Sequence, residues 1–87
     1  MILPFKEEKV NDAFIRTFSE DTPENLLLWH RDREDRLIVS IYESDWLFQI
    51  DNELPININS DIFIPKGVYH RIIKGTGELH LKVIKFI

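Results

Sequence analysis

This chain is predicted to be all-β and single-domain, on three observations. Short runs of β-branched and aromatic residues recur along it, clusters of turn residues separate those runs, and nothing in the series needs a long helix. Such a pattern belongs to a sandwich or barrel.

The elements follow in order. Ala13 to Phe18 is the first strand, carrying Phe14, Ile15 and Phe18 and closing at the turn Ser19-Glu20-Asp21-Thr22-Pro23. A competing reading makes Lys6 to Phe18 an amphipathic helix, because Val10, Ala13, Phe14 and Phe18 fall at helical spacing. The strand is preferred because every other element is β, so residues 1–12 are read as an N-terminal arm and 13–87 as the barrel. Leu26 to Trp29 is expected to continue as an extended segment through His30-Arg31-Asp32. Leu37 to Tyr42 is rich in β-branched residues, and Glu43-Ser44-Asp45 turns into Trp46 to Ile50. Asp51-Asn52-Glu53 turns again before Leu54 to Ile58, and Asp61 to Ile64 runs into Pro65-Lys66-Gly67. Val68 to Ile73 is expected to pair with Leu79 to Phe86 through Lys74-Gly75-Thr76-Gly77-Glu78, whose glycines would supply the positive φ of a tight hairpin.

Composition narrows the function classes. Eighty-seven residues make one small domain, which buries only roughly 60–65% of its unfolded surface. Without cysteine it has no disulfide, thiolate metal site or cysteine nucleophile, and a reducing cytoplasm is the expected setting. The start Met1-Ile2-Leu3-Pro4-Phe5-Lys6 does not read as a signal peptide, and no apolar run is long enough to span a membrane. The net charge is −4, with 11 Lys and Arg interleaved among 15 Asp and Glu. The densest run, His30-Arg31-Asp32-Arg33-Glu34-Asp35-Arg36, alternates in sign and cancels itself, so neither nucleic acid nor an anionic membrane is an expected partner. No Gly-x-Ser-x-Gly elbow or glycine-rich phosphate loop is present, which leaves metal or acid–base chemistry.

Two signatures flank the middle of the chain: His30-x-Asp32 and Pro65-x-Gly67-x-x-His70. On an extended segment His30 and Asp32 share one face with Leu26 and Leu28, and His70 shares a face with Val68 and Ile72. Brought together, His30, Asp32 and His70 form a two-histidine, one-carboxylate triad, a donor set suited to Fe(II) with open coordination positions; Mn, Ni and Zn are the other divalent candidates. The competing reading makes each histidine an ordinary barrel residue bonded to backbone or to Asp32, and Asp32 a salt-bridge partner of Arg36 or Arg71. Arg36 and Tyr42, sharing a face with Ser40, are candidate substrate-binding groups at the mouth, Arg36 through bidentate contact with a carboxylate or phosphate. Gln49 is a third candidate if it points inward. Trp46, Phe48 and Ile50 are read as core, Trp29 and Tyr69 as packing or dimer-interface residues, and His80 as part of a solvated face.

The second signature resembles the cupin superfamily, whose second motif ends in Pro-x-Gly-x-x-His; Pro65, Gly67 and His70 have that spacing, and Ser60-Asp61 stands close to the family's Gly-Asp. In the first motif His30 matches the first histidine, Asp32 replaces the second, and the usual glutamate falls at Arg36 or Leu37. The resemblance covers roughly Leu26 to Phe86. It implies a jelly-roll (double-stranded β-helix) barrel, commonly a homodimer, with any active centre in the barrel mouth. His-x-Asp with a distant His is also similar to the ligand set of 2-oxoglutarate-dependent oxygenases, which are usually much longer. The expected function is a metal-binding cupin, with dioxygenase-like chemistry on a small polar or anionic molecule. The alternatives are a non-catalytic cupin that binds a small ligand or serves as a dimeric interaction module, and a metal-free isomerase with His70 as general base. An exchanged edge strand through Ile2, Leu3 and Phe5 is one expected dimer contact.

Overall fold

The computed structural model describes residues 3–87. Eight strands follow one another: β1 (Lys6–Val10), β2 (Ala13–Phe18), β3 (Asp35–Ser40), β4 (Leu47–Ile50), β5 (Ile56–Asn57), β6 (Ile62–Ile64), β7 (His70–Ile73) and β8 (Leu79–Phe86). One 3₁₀ turn, Glu24–Leu26, is the only helical element among the described residues, and none of their helices is long and apolar enough to cross a membrane. The strands form two antiparallel sheets, ordered β1-β2-β8-β3-β6 and β5-β4-β7. The all-β expectation holds, and β2 has the bounds read from the sequence for the strand Ala13 to Phe18.

Period-two alternation decides what lies between the sheets. Phe18, Ile38, Leu79, Leu81 and Val83 of the larger sheet meet Trp46, Phe48 and Ile58 from the other side, all buried. Trp46 is fully buried, and its indole Nε1–H donates to the Gly77 carbonyl at 3.2 Å, so its one polar atom is satisfied. On the outer face of the larger sheet, register aligns Val10, Ala13, Ile84, Leu37 and Phe63 in one apolar row crossing all five strands.

Four local expectations are corrected. The stretch read as an arm carries β1, joined to β2 by a turn in which Asn11 takes φ 56°. The run from Leu26 to Asp32 is not a strand: after the 3₁₀ turn it crosses the mouth of the sandwich as irregular chain, touching a sheet only where His30 bridges His70. The segment expected as Leu54 to Ile58 contributes only the two-residue β5. Finally, β7 and β8 are not a hairpin. β7 pairs with β4, and β8 lies between β2 and β3, so Lys74 to Glu78 carries the chain from one sheet to the other. Gly77 does supply a positive φ of 71°, but Gly75 is needed for a different reason: a Cβ there would meet the Asp45 carboxylate and lie 2.7 Å from the Trp46 nitrogen.

Candidate metal centre

His70 opens β7, and its position is set by backbone on both sides. Its N–H donates to the His30 carbonyl at 2.9 Å and the His30 N–H returns to the His70 carbonyl at 3.0 Å, so the two histidines face each other as one ladder rung. The Pro65-Lys66-Gly67 turn before it closes through Val68 N–H to the Pro65 carbonyl, with Gly67 at φ 77°. That turn is tied to the opposite segment: Gly67 N–H donates to the Asp32 carbonyl at 2.9 Å, and Lys66 N–H to the Asp35 carboxylate at 2.8 Å. The residues between Asp32 and His70 in sequence are therefore spanned by a few short bonds, which is why such distant residues share a site.

The side chains repeat one local arrangement. His30 Nδ1 lies 3.0 Å from the Leu28 carbonyl, and His70 Nδ1 lies 2.9 Å from the Val68 carbonyl. A carbonyl only accepts, so each Nδ1 carries the proton and each neutral ring has its lone pair on Nε2. Both Nε2 atoms turn toward Asp32: His70 Nε2 is 3.3 Å from Oδ2, and His30 Nε2 is 4.0 Å from Oδ1. One ligand atom from each of His30, Asp32 and His70 lies within 4.8 Å of the others. His70 is 4% exposed, and the His70 ring stacks on Phe48 with centroids 5.8 Å apart. Burial holds its pKa below the ordinary imidazole value of 6.5, helped by His30 and Arg36 and opposed by the Val68 carbonyl and Asp32.

A neutral His70 leaves Asp32 in an unusual position. Oδ2 is buried and has no hydrogen-bond partner among the described residues, while the His70 Nε2 lone pair faces it at 3.3 Å. Oδ1 lies 3.3 Å from Arg36 Nη1, and Arg36 gives Nε and Nη2 to Glu34 at 3.2 and 3.0 Å. A divalent cation fits this donor set: it answers the orphaned oxygen and both lone pairs at once, and the 3.3 Å contact to His70 falls within the roughly 3.0–3.4 Å expected between neighbouring ligands about 2.1 Å from a metal, while half-exposed His30, at 4.0 Å, would have to close in.

Above the triad lies a cavity of ≈270 Å³. His30, Asp32, Arg36 and His70 line one end of it, and Phe18, Ile38, Ile64, Leu81 and Val83 are among its apolar walls. Of the substrate-binding candidates, the structure brings only Arg36 here. Tyr42 is 65% exposed and rests against His80 outside the cavity, because β3 ends at Ser40 and its alternation does not carry forward. Gln49 points away from the core, accepting from Arg71 Nε at 2.9 Å and donating to the Glu53 carbonyl. Arg16 is a wall residue absent from the candidates, although alternation with Phe14 and Phe18 places it on the inner face of β2. It pairs with Glu7 and lies over the Phe5 ring at 4.2 Å. Trp29 and Tyr69 are exposed, covered by Arg71 and Arg31. His80, 3.3 Å from the Glu78 carboxylate, lies outside the site as read.

No family model matches this chain, and no curated protein does. Solved structures do. A cupin domain from Bordetella pertussis Tohama I superposes with a TM-score of 0.60 at 17% identity, covering 100% of this chain and 99% of that one. A protein containing a cupin-2 domain, from Shewanella frigidimarina, gives 0.60 at 17% identity, covering 91% and 76%. The Fe(II) form of HppE gives 0.63 at 15% identity, covering 85% of this chain and 41% of that one. The two-sheet architecture has the cupin fold of these structures.

Proposed function

We propose that this protein is a metal-binding cupin that holds one divalent cation through His30 Nε2, Asp32 and His70 Nε2. Fe(II) is the favoured ion, with Mn, Ni or Zn as alternatives, and it serves dioxygenase-like chemistry. The observation that carries the reading is the buried, unpartnered Asp32 Oδ2, 3.3 Å from His70 Nε2, in a carboxylate whose Oδ1 lies 4.0 Å from His30 Nε2, with both imidazole Nδ1 protons already committed. HppE, of the same fold, was crystallised with Fe(II), and a reducing cytoplasm, where we place the protein, keeps iron ferrous. When bound, the metal would offer open positions at which O₂ is activated or a carbonyl polarised. The protein's own groups do the rest. The Leu28 and Val68 carbonyls fix both tautomers, Phe48 and the apolar walls exclude water from one side, and Arg36 holds the carboxylate in place.

The test is metal content of protein purified without chelator or histidine tag, wild type beside His30→Ala and His70→Ala. Near-stoichiometric metal in the wild type, absent from both variants, is the expected result. A metal-free wild type that also refuses added Fe(II), Mn(II), Ni(II) and Zn(II) overturns it. One observation favours a non-catalytic ligand-binding cupin: the usual cupin glutamate falls at Arg36 or Leu37, and Arg36 gives Asp32 an ion-pair partner without any metal.

We also propose that the protein works as a homodimer through the outer face of its larger sheet, where the apolar row is roughly 19 Å wide at 4.8 Å per strand. The N-terminal exchange is not favoured: Ile2 lies outside the described residues, and Phe5 packs in this chain's own core, 5.3 Å from Phe18. Sedimentation equilibrium at micromolar concentration should give a dimer that Leu37→Glu dissociates; a monomeric wild type overturns this.

A further inference from the structure

The cavity above the triad has a chemistry of its own, and it narrows what can occupy it. Its volume of ≈270 Å³ corresponds to about nine waters at ≈30 Å³ each, room for a molecule of roughly ten non-hydrogen atoms. Among the described residues its polar lining is His30, Asp32, Arg36 and His70, gathered at the triad, and Arg16. Arg16, the other polar wall residue among those described, has its charge met by Glu7 and its guanidinium face against Phe5. Phe18, Ile38, Leu81 and Val83 offer nothing to a hydroxyl or an ammonium, and each polar group buried among them unpaired would weaken binding. A sugar or another polyol is a poor fit, and an apolar body is a good one.

The polar end then selects the head group. Asp32 and Glu34 carry two negative charges and Arg36 one positive, so the bare cluster sums to −1 and repels an anion. A divalent cation at His30, Asp32 and His70 reverses the sum to +1. Arg36 has hydrogens to spare: Nε and one Nη2 hydrogen go to Glu34, and Nη1 faces Asp32, which leaves one hydrogen on each terminal nitrogen. Two donors and one surplus positive charge match a carboxylate, and are too few for a doubly charged phosphate.

We propose that the metal-loaded chamber binds a small carboxylic acid with an apolar body, its carboxylate at Arg36 beside the metal and its hydrocarbon among Phe18, Ile38, Leu81 and Val83. This inference rests on the metal-centre reading, because the cluster attracts an anion only once the cation is present. It excludes the broader class of small polar substrates.

Calorimetry on zinc-loaded and chelator-treated wild-type protein tests it, with metal content measured on the same samples. The probes are octanoate and phenylacetate, their neutral counterparts octanol and 2-phenylethanol, and acetate, which lacks the apolar body. With zinc bound, one of the two larger acids should bind about tenfold or more tightly than its alcohol and than acetate. Without zinc that preference should vanish or invert. Arg36→Met should cost the acid about tenfold while leaving the alcohol within about twofold. Zinc bound at one equivalent with alcohol and acid equal overturns the ligand proposal alone, and wild-type protein decides this even if the variant does not fold. Wild-type protein that binds neither zinc nor added Fe(II), Mn(II) or Ni(II) overturns both readings, and one that takes another of these ions in place of zinc is tested with that ion; the metal measurement tells the two failures apart.

Discussion

Asp32→Asn separates a carboxylate kept for a cation from one kept for structure, because the two readings predict opposite changes in stability. The Asp32 side chain is 8% exposed, with Oδ2 unpartnered and His70 Nε2 at 3.3 Å presenting a lone pair, an arrangement that costs stability when no metal is bound. An amide in that place removes the buried charge and donates an N–H to that lone pair, a relief of about 1–3 kcal/mol. The Arg36 contact at 3.3 Å loses its charge assistance, about 1 kcal/mol, while Arg36 keeps Glu34. The net is about 1 kcal/mol of stabilisation, or roughly 4–8 °C in Tm for a domain of this size. Metal has the opposite effect: at a hundredfold excess over Kd it contributes about 2.7 kcal/mol to the wild type and nothing to an amide. Thermal melts of both proteins, in EDTA and in excess Zn(II) or Mn(II), should therefore cross. The variant melts higher without metal, and the wild type gains roughly 11–22 °C with it. A variant that melts several degrees below wild type in EDTA, or that keeps the metal-induced shift, refutes the reasoning; Asp32 would then be a structural ion-pair residue.

Three further outcomes follow from the same geometry. His30→Ala and His70→Ala should both abolish metal binding but differ in metal-free stability: His30 is half exposed and its loss costs under about 1 kcal/mol, whereas buried His70, with its Phe48 stack and Nδ1 hydrogen bond, costs about 2–3 kcal/mol. Urea titrations in EDTA measure that difference. His70 has a depressed folded pKa, so below its ordinary value of 6.5 the unfolded chain binds the proton first. Stability of the metal-free protein is complete above 6.5 and falls as pH drops below it, and metal affinity declines over the same range because proton and metal compete for Nε2. Melting curves and metal titrations from pH 8 to 5 should show both, and a metal affinity flat across that range contradicts the assignment. Gly75→Ala should cost about 2 kcal/mol or more, since the added methyl meets the backbone of Asp45 and Trp46 on the opposing segment; a chevron or melt unchanged from wild type would show that this crossover yields.

Much of the architecture was legible because its signals are local. Ala13–Phe18, preferred as a strand over a helix because every other element is β, has the observed bounds, and Trp46, Phe48 and Ile50 do face the core. The Pro65-x-Gly67-x-x-His70 spacing marks a turn that delivers a histidine to the start of a strand. What failed depends on long-range pairing. Lys74 to Glu78 has the composition of a hairpin, yet the partner of β7 is β4, and no residue within the turn encodes that choice. Leu26 to Asp32 alternates like a strand, but its apolar side chains cover the open end of the sandwich instead of joining a sheet, and Leu27 packs against the core from there. His30 and Asp32 still converge, through the His70 rung and the Gly67 bond and not through strand parity. Tyr42 was misplaced because parity was extended past the end of β3, while Gln49, offered only if it pointed inward, stays on the side that parity with Phe48 gives it and bonds Arg71 and the Glu53 carbonyl. Arg16 was readable from the same rule that places Phe14 and Phe18 inside.

The reciprocal backbone bonds between His30 and His70 have a kinetic consequence. Two of the three donors sit on a closed rung, so their main chain is in place before any ligand arrives, and capture should require only side-chain adjustment. Entry should then be limited by how fast the ion sheds its hydration shell and not by folding of a loop. Exchange rates should rank the ions by water lability, and amide hydrogens at positions 30 and 70 should be equally slow to exchange with or without cargo.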